Sequence, residues 1–292
     1  MIVRKRYTIT WNAHTLELGE RTCIMGIVNV TPDSFSDGGS FFKFDNAVAQ
    51  GEKLVKDGAD IIDIGGESTR PFSDPVSAEE EIRRVVPVIE TLAKRTTVPI
   101  SIDTTKARVA RAAIEAGASM INDVSALRID PELGDVAGEY GLPIILMHML
   151  GTPKTMQIDP AYADLFGEIK KFFENAVQRA AQKGVDHSKI ILDPGIGFGK
   201  TVAHNLLLIK HLFEFHSLDV PILIGPSRKA FIRRILKKPD EAELNPQSPL
   251  VETGTQATVA AAILHGAHIV RVHDVANAMA TAKIMDKMIG TS

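Results

Sequence analysis

Cysteine is nearly absent from this chain of 292 residues. The single thiol, Cys23, has no partner for an internal disulfide, and it lies in an apolar run (residues 23–28) where a buried, inert thiol is expected. We therefore expect a protein of the cytoplasm, where thiols stay reduced.

Long hydrophobic runs are also missing. No stretch reaches the roughly 18 consecutive apolar residues that span a membrane. The basic residues at positions 4–6 are not followed by the apolar segment of about 7–15 residues that a secretory signal contains. We therefore predict neither a membrane span nor a signal peptide.

A charge excess of either sign is lacking as well. The chain has 33 Lys and Arg residues against 36 Asp and Glu residues, a formal net charge of -3. This balance offers no broad electrostatic surface for nucleic acid or an anionic membrane. Because 45% of the residues are hydrophobic and 24% are charged, we expect a packed globular fold whose partners are small molecules.

Several familiar catalytic and metal motifs are absent. The histidines and Cys23 show neither HExxH nor paired-cysteine spacing, so zinc is not expected, and no convincing Ser-His-Asp or Cys-His nucleophile is present. Residues 195–200, GIGFGK, are superficially similar to nucleotide-binding loops but fit neither GxGxxG nor GxxxxGK[ST] spacing. We interpret them as a shaped loop with Phe198 as a stacking face.

Short apolar runs recur between amphipathic stretches, which predicts repeated βα units around a parallel sheet. Most runs are too short and too uniformly apolar for a half-exposed strand. The eight predicted strands are residues 24–29, 61–65, 99–103, 120–123, 143–148, 190–193, 221–225 and 269–273.

Glycines punctuate these units at the expected helix ends, namely Gly58, Gly117, Gly141, Gly184 and Gly266. Ser77 and Glu80 predict a capping box before one helix.

We expect an α/β fold, a (β/α)8 TIM barrel in one domain over residues 1–292, with an N-terminal β-hairpin (residues 1–20) and a charged, proline-containing surface excursion (residues 237–252). The alternation of Tyr7, Ile9 and Trp11 with polar residues, and a turn at residues 12–14, predict the hairpin.

Polar residues stand where the predicted strands end, at the mouth where such barrels carry their chemistry. Asp123, Ser125, Asp130 and Asp274 are equally well explained as helix caps. That explanation is weaker for Asn29, Asp103, Asp193 and Arg271, because a polar group in an apolar run costs about 1–3 kcal/mol unless it is paired. A shared polar ligand would supply the pairing.

The residue types indicate what that ligand is. The carboxylates of Asp103 and Asp193, the amide of Asn122 and the amine of Lys229 suit a flat heterocycle with N–H donors beside carbonyl and ring-nitrogen acceptors.

Arg271 and His273 share one strand face and, with Asn29, suit a phosphate-type anion and its metal. The alternative is a structural ion pair of Arg271 with Asp274 or another carboxylate. One amide is a poor metal cage, but Mg²⁺ completes its shell with substrate phosphates and water.

Two long segments resemble the signatures of the dihydropteroate synthases. Residues 25–39, MGIVNVTPDSFSDGG, resemble the first signature, and residues 60–71, DIIDIGGESTRP, resemble the second. Shorter matches are residues 101–104 (SIDT), 121–124 (INDV), 146–149 (LMHM), 192–195 (LDPG), 227–229 (SRK) and 270–274 (VRVHD). The resemblance covers essentially the whole chain.

This resemblance implies condensation of 6-hydroxymethyl-7,8-dihydropterin diphosphate with para-aminobenzoate by a dissociative reaction that needs Mg²⁺, in a homodimer that contacts through the last helices. Asn29 would bind the metal. The catalytic group would be Asp37, Thr69, Arg70, Lys229, Arg271 and His273. Thr69, Lys229, Arg271 and His273 would also bind substrate, together with Asp103, Asn122, Met147, Asp193, Phe198, Phe35, Pro71 and Ala230.

One position departs from part of the family. Several members have serine directly after the SRK lysine to bind the aminobenzoate carboxylate, whereas this chain has Ala230. If a helix begins near Ser227, its backbone N–H groups could take over that role.

Two other functions stay open at this point. A pterin-dependent methyltransferase barrel would not need the arrangement of Asn29, Arg271 and His273 for a diphosphate. A noncatalytic pterin-binding barrel is open because a fold alone does not define a function.

Overall fold

The alternating apolar residues near the N-terminus form a small antiparallel hairpin. In the computed structural model, which describes residues 4–31, 40–68, 75–152, 155–240 and 243–291, strands β1 (Tyr7–Trp11) and β2 (His14–Leu18) pair along their whole length. The turn consists of residues 12–13, with Asn12 at φ +46°, so His14 belongs to β2 rather than to the turn as we predicted.

Eight parallel strands form the second sheet: β3 (Cys23–Asn29), β4 (Ile61–Gly65), β5 (Ile100–Asp103), β6 (Met120–Asp123), β7 (Ile144–Met147), β8 (Ile190–Asp193), β9 (Leu223–Ile224) and β10 (Ile269–Val272). They are hydrogen-bonded in the order β8-β7-β6-β5-β4-β3-β10-β9. A bridge between Leu192 and Ile222 joins β8 to the residue before β9 and brings the two edges of the sheet together. The predicted (β/α)8 barrel is therefore confirmed.

Helices follow the barrel strands and cover the outside of the sheet. They are α1 (Ser40–Lys56), α2 (Ala78–Ala93), α3 (Ala107–Glu115), α4 (Glu132–Tyr140), α5 (Leu165–Gln182), α6 (Val202–Lys210), α7 (Ala230–Leu236), α8 (Pro249–Leu264) and α9 (Val275–Gly290), with short 3-10 helices at His187–Lys189 and Leu212–Leu218. Within the described ranges, no helix is both long and apolar enough to cross a bilayer.

Alternation along the strands separates two apolar layers. Outward residues such as Ile62 and Ile64 of β4 pack with the helices, whereas Ile61 faces the barrel interior and packs with the hairpin residues Ile9 and Trp11. This double burial explains the uniformly apolar strand runs. Because the hairpin covers the amino ends of the strands, the carboxyl ends are the mouth on which polar residues converge.

Left-handed glycines end the helical segments as predicted. Gly58, Gly117, Gly141, Gly184 and Gly266 all have positive φ, between +61° and +115°. At the start of α2, Ser77 Oγ accepts from Glu80 N at 3.2 Å. The reciprocal bond of a capping box is replaced, because the Glu80 carboxylate accepts from Arg83 and Arg84.

The segment predicted as a surface excursion is exposed over much of its described length. Its end is helical, however, since α8 begins at Pro249 and Ser248 caps it by accepting from Val251 N. Proline at the first helical position has no N–H to lose, so Pro249 starts a helix here instead of disrupting one.

Two of the helix-ending glycines provide a matched stability test. A Cβ on Gly117, at φ +115°, would lie 2.6 Å from Ala93 Cβ, whereas a Cβ on Gly184, at φ +80°, has no neighbour within 4 Å. We expect Gly184→Ala to lower the free energy of unfolding by about 1–2 kcal/mol through backbone strain alone. Gly117→Ala should cost roughly 1–3 kcal/mol more because of the added overlap. Urea unfolding measures both free energies. Equal losses in the two variants would show that the overlap with Ala93 costs no stability.

Candidate active site

Most of the polar residues predicted at strand ends line one cavity in the barrel mouth. The predicted residues around it are Asp103, Asn122, Met147, Asp193, Phe198, Lys229 and Arg271. Val124, Ile196 and Gly225 complete the lining. Strands β5 to β8 and β10 each contribute one side chain to the cavity, from the inward-facing position nearest the carboxyl end of the strand. In strand order these side chains are Asp103, Asn122, Met147, Asp193 and Arg271.

A partly buried arginine lies at the centre of the polar cluster. Arg271 Nε donates to Asp63 Oδ2 at 2.6 Å, and Arg271 Nη2 donates to Asp103 Oδ2 at 2.7 Å. Asp63 is fully buried, and its Oδ2 also accepts from Asn122 Nδ2 at 3.0 Å. The ion pair that we considered as an alternative for Arg271 therefore exists, but with two carboxylates of the site rather than with Asp274.

Asp63 is a residue that our sequence analysis did not assign to the site. It stands in the middle of β4, in the run IIDIG, where its neighbours along the strand are fully buried. A charged residue inside such a run is the same signal that singled out Asp103 and Asp193. We overlooked it because it does not end the strand.

Burial controls the protonation of this cluster. Burial raises the pKa of Asp103 to about 7, although Arg271 opposes the shift, and nearby Asp63 adds to it. Burial also raises the pKa of Asp193, against the hydrogen bond from Gly195 N. For Arg271 burial alone would lower the pKa, but Asp63 and Asp103 outweigh it and raise the pKa. Arg271 thus stays charged and holds its two carboxylates together.

Asn29 and His273 lie at the mouth beside this cavity. Asn29 ends β3 and His273 follows β10, and these two strands are neighbours in the sheet. Ser227 Oγ lies 2.9 Å from His273 Nδ1 and accepts from His273 N at 3.3 Å. If the hydroxyl donates to Nδ1, the Nε2–H of the imidazole is left as a donor. Ser227 therefore orients this ring, a role that we did not predict for its side chain.

The only metal ligand that we predicted is a single amide oxygen, that of Asn29. In the described parts of the chain, no group of three or more His, Cys, Asp or Glu side chains could hold an ion by itself. A metal at Asn29 would therefore depend on substrate oxygens and water, which is the mode that Mg²⁺ commonly adopts.

Phe198 and Lys229 form one wall of the cavity. Lys229 Nζ lies 4.1 Å from the centre of the Phe198 ring, a cation–π contact. Phe198 also packs with Met147, Val124, Met149 and Met156 in a small apolar cluster. This wall offers an aromatic face next to a positive charge.

Ala230 is the first residue of α7, and Lys229 is its N-cap. The helix thus begins three residues after Ser227. Two backbone N–H groups between them are already used, since Arg228 N donates to Thr255 Oγ1 and Lys229 N donates to Pro226 O. These two amides offer no support for carboxylate binding.

Other polar residues near the strand ends accept hydrogen bonds from backbone N–H groups, in line with the helix-capping explanation that we considered for them. Asp123 accepts from Ser125 N and Leu127 N, and Asp274 caps α9 by accepting from Asn277 N. The predicted residues Phe35, Asp37, Thr69, Arg70 and Pro71 lie outside the described residues.

The barrel and its polar mouth define an enzyme of the α/β-barrel class, and comparisons with known proteins identify the family. Residues 25–273 match the family model of pterin binding enzymes. The dihydropteroate synthase of Synechocystis sp. is 49% identical over 270 residues, which cover 92% of this chain and 91% of the relative. The chain therefore belongs to the pterin-binding dihydropteroate synthase family, whose members are transferases.

Solved structures agree with this family. Dihydropteroate synthase from Xanthomonas albilineans with 4-aminobenzoic acid superimposes with a TM-score of 0.89 at 40% identity, covering 99% of this chain and 100% of that one. The same enzyme in complex with 7,8-dihydropteroate gives a TM-score of 0.82 at 41% identity, covering 93% and 95%.

The contact of Asp63 with Arg271 leads to a specific expectation. Asp63→Asn keeps the shape of the side chain but removes its charge, so Arg271 would be held by Asp103 alone. We expect the affinity for a pterin to fall by about tenfold, the size of one charge-assisted hydrogen bond. Titration calorimetry with a pterin measures it, and Asp135→Asn on the half-exposed side of α4 is the matched control. Wild-type affinity in Asp63→Asn would show that Asp63 does not support the site.

Proposed function

We propose that this chain condenses 6-hydroxymethyl-7,8-dihydropterin diphosphate with para-aminobenzoate to give 7,8-dihydropteroate and pyrophosphate. The observation that carries the proposal is the cavity that combines the carboxylates of Asp103 and Asp193 with Asn122 and Lys229. Relatives of the same family support it, since one solved structure contains 4-aminobenzoic acid and another contains 7,8-dihydropteroate.

The pterin would lie among these four residues. Asp103 and Asp193 would accept from N–H groups of the ring, and Lys229 would donate to its acceptors. The Asn122 amide has one donor occupied by Asp63, which leaves its oxygen as a further acceptor for the ligand. Met147 would pack against the flat ring from the floor of the cavity.

The diphosphate would extend from the pterin toward Asn29 and His273. His273 would donate a hydrogen bond through Nε2, in the orientation that Ser227 supports. Arg271 would contribute positive charge from the cavity side. Asn29 would hold Mg²⁺ together with diphosphate oxygens and water, and the ion would supply positive charge that stabilises the leaving group.

The chemistry would need no protein nucleophile. The bond between the methylene carbon and the diphosphate oxygen breaks, and its electron pair leaves with the diphosphate. The cation that remains is delocalised into the dihydropterin ring. The amine nitrogen of para-aminobenzoate then forms the new C–N bond with its lone pair and loses a proton to water. Arg271, His273 and Lys229 would act by electrostatics and positioning.

The aminobenzoate ring would pack on the wall of Phe198 and Lys229, where an aromatic face and a cation are already in place. Phe35 and Pro71 would cover its other side, and Ala230 would lie near its carboxylate. Asp37, Thr69 and Arg70 would act on the diphosphate and on loop closure.

We also propose a homodimer that contacts through the last helices. Large apolar side chains are exposed there, including Leu250 (48%) and Leu264 (41%) on α8 and Ile284 (64%) and Met288 (58%) on α9. A second copy that packed against these two helices would remove these side chains from water, which is favourable. Analytical ultracentrifugation should show a dimer that Ile284→Lys and Met288→Lys together convert to a monomer. A wild-type monomer at micromolar concentration would contradict the proposal.

A cytoplasmic location is part of the same proposal, supported by the single buried thiol of Cys23. Recovery of the protein from a membrane or extracellular fraction of its native cells would contradict it.

A direct assay tests the proposed reaction. Mixed with Mg²⁺, the dihydropterin diphosphate and para-aminobenzoate, the protein should release pyrophosphate only when aminobenzoate is present, and it should form dihydropteroate. A methyltransferase barrel or a noncatalytic pterin-binding barrel would give neither product. Absence of turnover in a folded preparation would reject the assignment.

Variants test the pocket in the same preparation. Asp103→Ala and Lys229→Ala should each weaken pterin binding by about tenfold or more, because each removes a polar partner that lines the cavity. Lys171→Ala, which changes a lysine whose side chain is 70% exposed on α5, should bind pterin as the wild type does. Unchanged affinity in both pocket variants would exclude these residues from the site.

A further inference from the structure

The glycine-containing loop of residues 194–199 carries Phe198 and is held through its backbone. Side chains from several parts of the barrel bind its amides and carbonyls. The bonds are Gly195 N to Asp193 Oδ1 (2.7 Å), Gly197 N to Asn205 Oδ1 (2.7 Å), Gln157 Nε2 to Gly197 O (2.6 Å) and Tyr162 Oη to Gly199 O (2.8 Å). The loop is therefore a preorganised element of the mouth.

The carbonyl of Phe198 itself is held by a buried lysine. Lys200 is 2% exposed, and its Nζ donates to Phe198 O at 3.0 Å. The same Nζ lies 2.9 Å from His148 Nδ1. A lysine this deep is unusual, and its two hydrogen-bond partners are a backbone carbonyl and an imidazole nitrogen rather than carboxylates.

His148 is fixed on the other side of this contact. Its ring packs edge-on against Phe172, with 4.7 Å between the ring centres, and only 4% of the residue is exposed. A Cβ at Gly195 would lie 1.9 Å from the carbonyl oxygen of His148, so the loop rests directly on the backbone of His148. Lys200 thus connects the end of the loop to a rigid support below it.

Charge explains why this contact can persist in a nearly dry site. Burial and the nearby cation of Lys229 lower the pKa of Lys200 to about 7, against the attraction of Asp193. Burial, with smaller effects of Lys200 and Arg128, lowers the pKa of His148 to about 2. The imidazole is therefore neutral, and the amine can donate to Phe198 O whether or not it carries the extra proton.

We propose that Lys200 and His148 form a buried positioning pair that holds Phe198 in place, and that this pair sets the affinity for para-aminobenzoate without touching either substrate. The inference rests on the proposed function, because Phe198 and Lys229 would form the wall for the aminobenzoate ring. Two of the proposed pterin contacts, Asp103 and Asn122, come from strands that do not touch this loop, and Asp193 is fixed at the end of β8. Pterin binding should therefore depend on the pair less than aminobenzoate binding does.

Steady-state kinetics of Lys200→Met test the pair, since methionine keeps the length and apolar character of the side chain but has no donor. We expect the KM for para-aminobenzoate to rise by about tenfold, as for a lost buried hydrogen bond, with the KM for the pterin diphosphate changed less than about twofold. Lys171→Met, on the exposed face of α5, should leave both constants unchanged.

A double-mutant cycle with Phe198→Leu separates positioning from a general loss of stability. If Lys200 acts through Phe198, the two substitutions together should raise the KM for aminobenzoate little more than Phe198→Leu alone. Additive effects, equal increases in both KM values, or an unchanged aminobenzoate KM in Lys200→Met would overturn the proposal. Thermal unfolding of each variant checks that the fold is retained.

The other member of the pair gives a second test that does not depend on Lys200→Met folding. His148→Leu removes the imidazole and should produce the same selective rise, again not additive with Phe198→Leu. An unselective or additive effect counts against the pair. Failure of the proposed reaction would be distinguishable, because the wild type would then form no dihydropteroate at all.

Discussion

The site depends on one largely enclosed positive charge, that of Arg271, whose side chain is 19% exposed in the barrel mouth. A charge in this environment is tolerated only when it is paired and hydrogen-bonded, and Asp63 and Asp103 satisfy that requirement at 2.6 and 2.7 Å. Asn122 is then oriented by Asp63. The three strands that supply Asp63, Asp103 and Asn122 are thereby joined to β10 through one guanidinium group.

Apolar packing on two sides of the polar layer supports this ion pairing. At the amino ends of the strands, the interior is an apolar layer that the hairpin residues Ile9 and Trp11 cover. On the outside, residues such as Ile62 pack against the helices. This close apolar packing restricts the movement of the strands that carry the polar side chains. The polar groups of the pocket are therefore held in position before a ligand binds.

Much of the architecture could be predicted because local patterns carry it. The strand runs, the left-handed glycines such as Gly117 and the alternation of Tyr7 to Trp11 depend on period and backbone conformation, which neighbouring residues decide. Strand ends were also informative, since polar residues there must meet at the mouth of a parallel barrel. We did not predict Asp63 in this way, because it lies two residues before the end of β4.

The sequence by itself determined the barrel, its hairpin and the set of polar groups at one end, because hydrophobic period and strand direction are local properties. Only the tertiary structure decided which of these groups are partners: Arg271 with Asp63 and Asp103, Ser227 with His273, and Lys200 with His148. Such pairs join residues up to 208 positions apart. Their choice depends on strand order and distance in space, which no local pattern encodes.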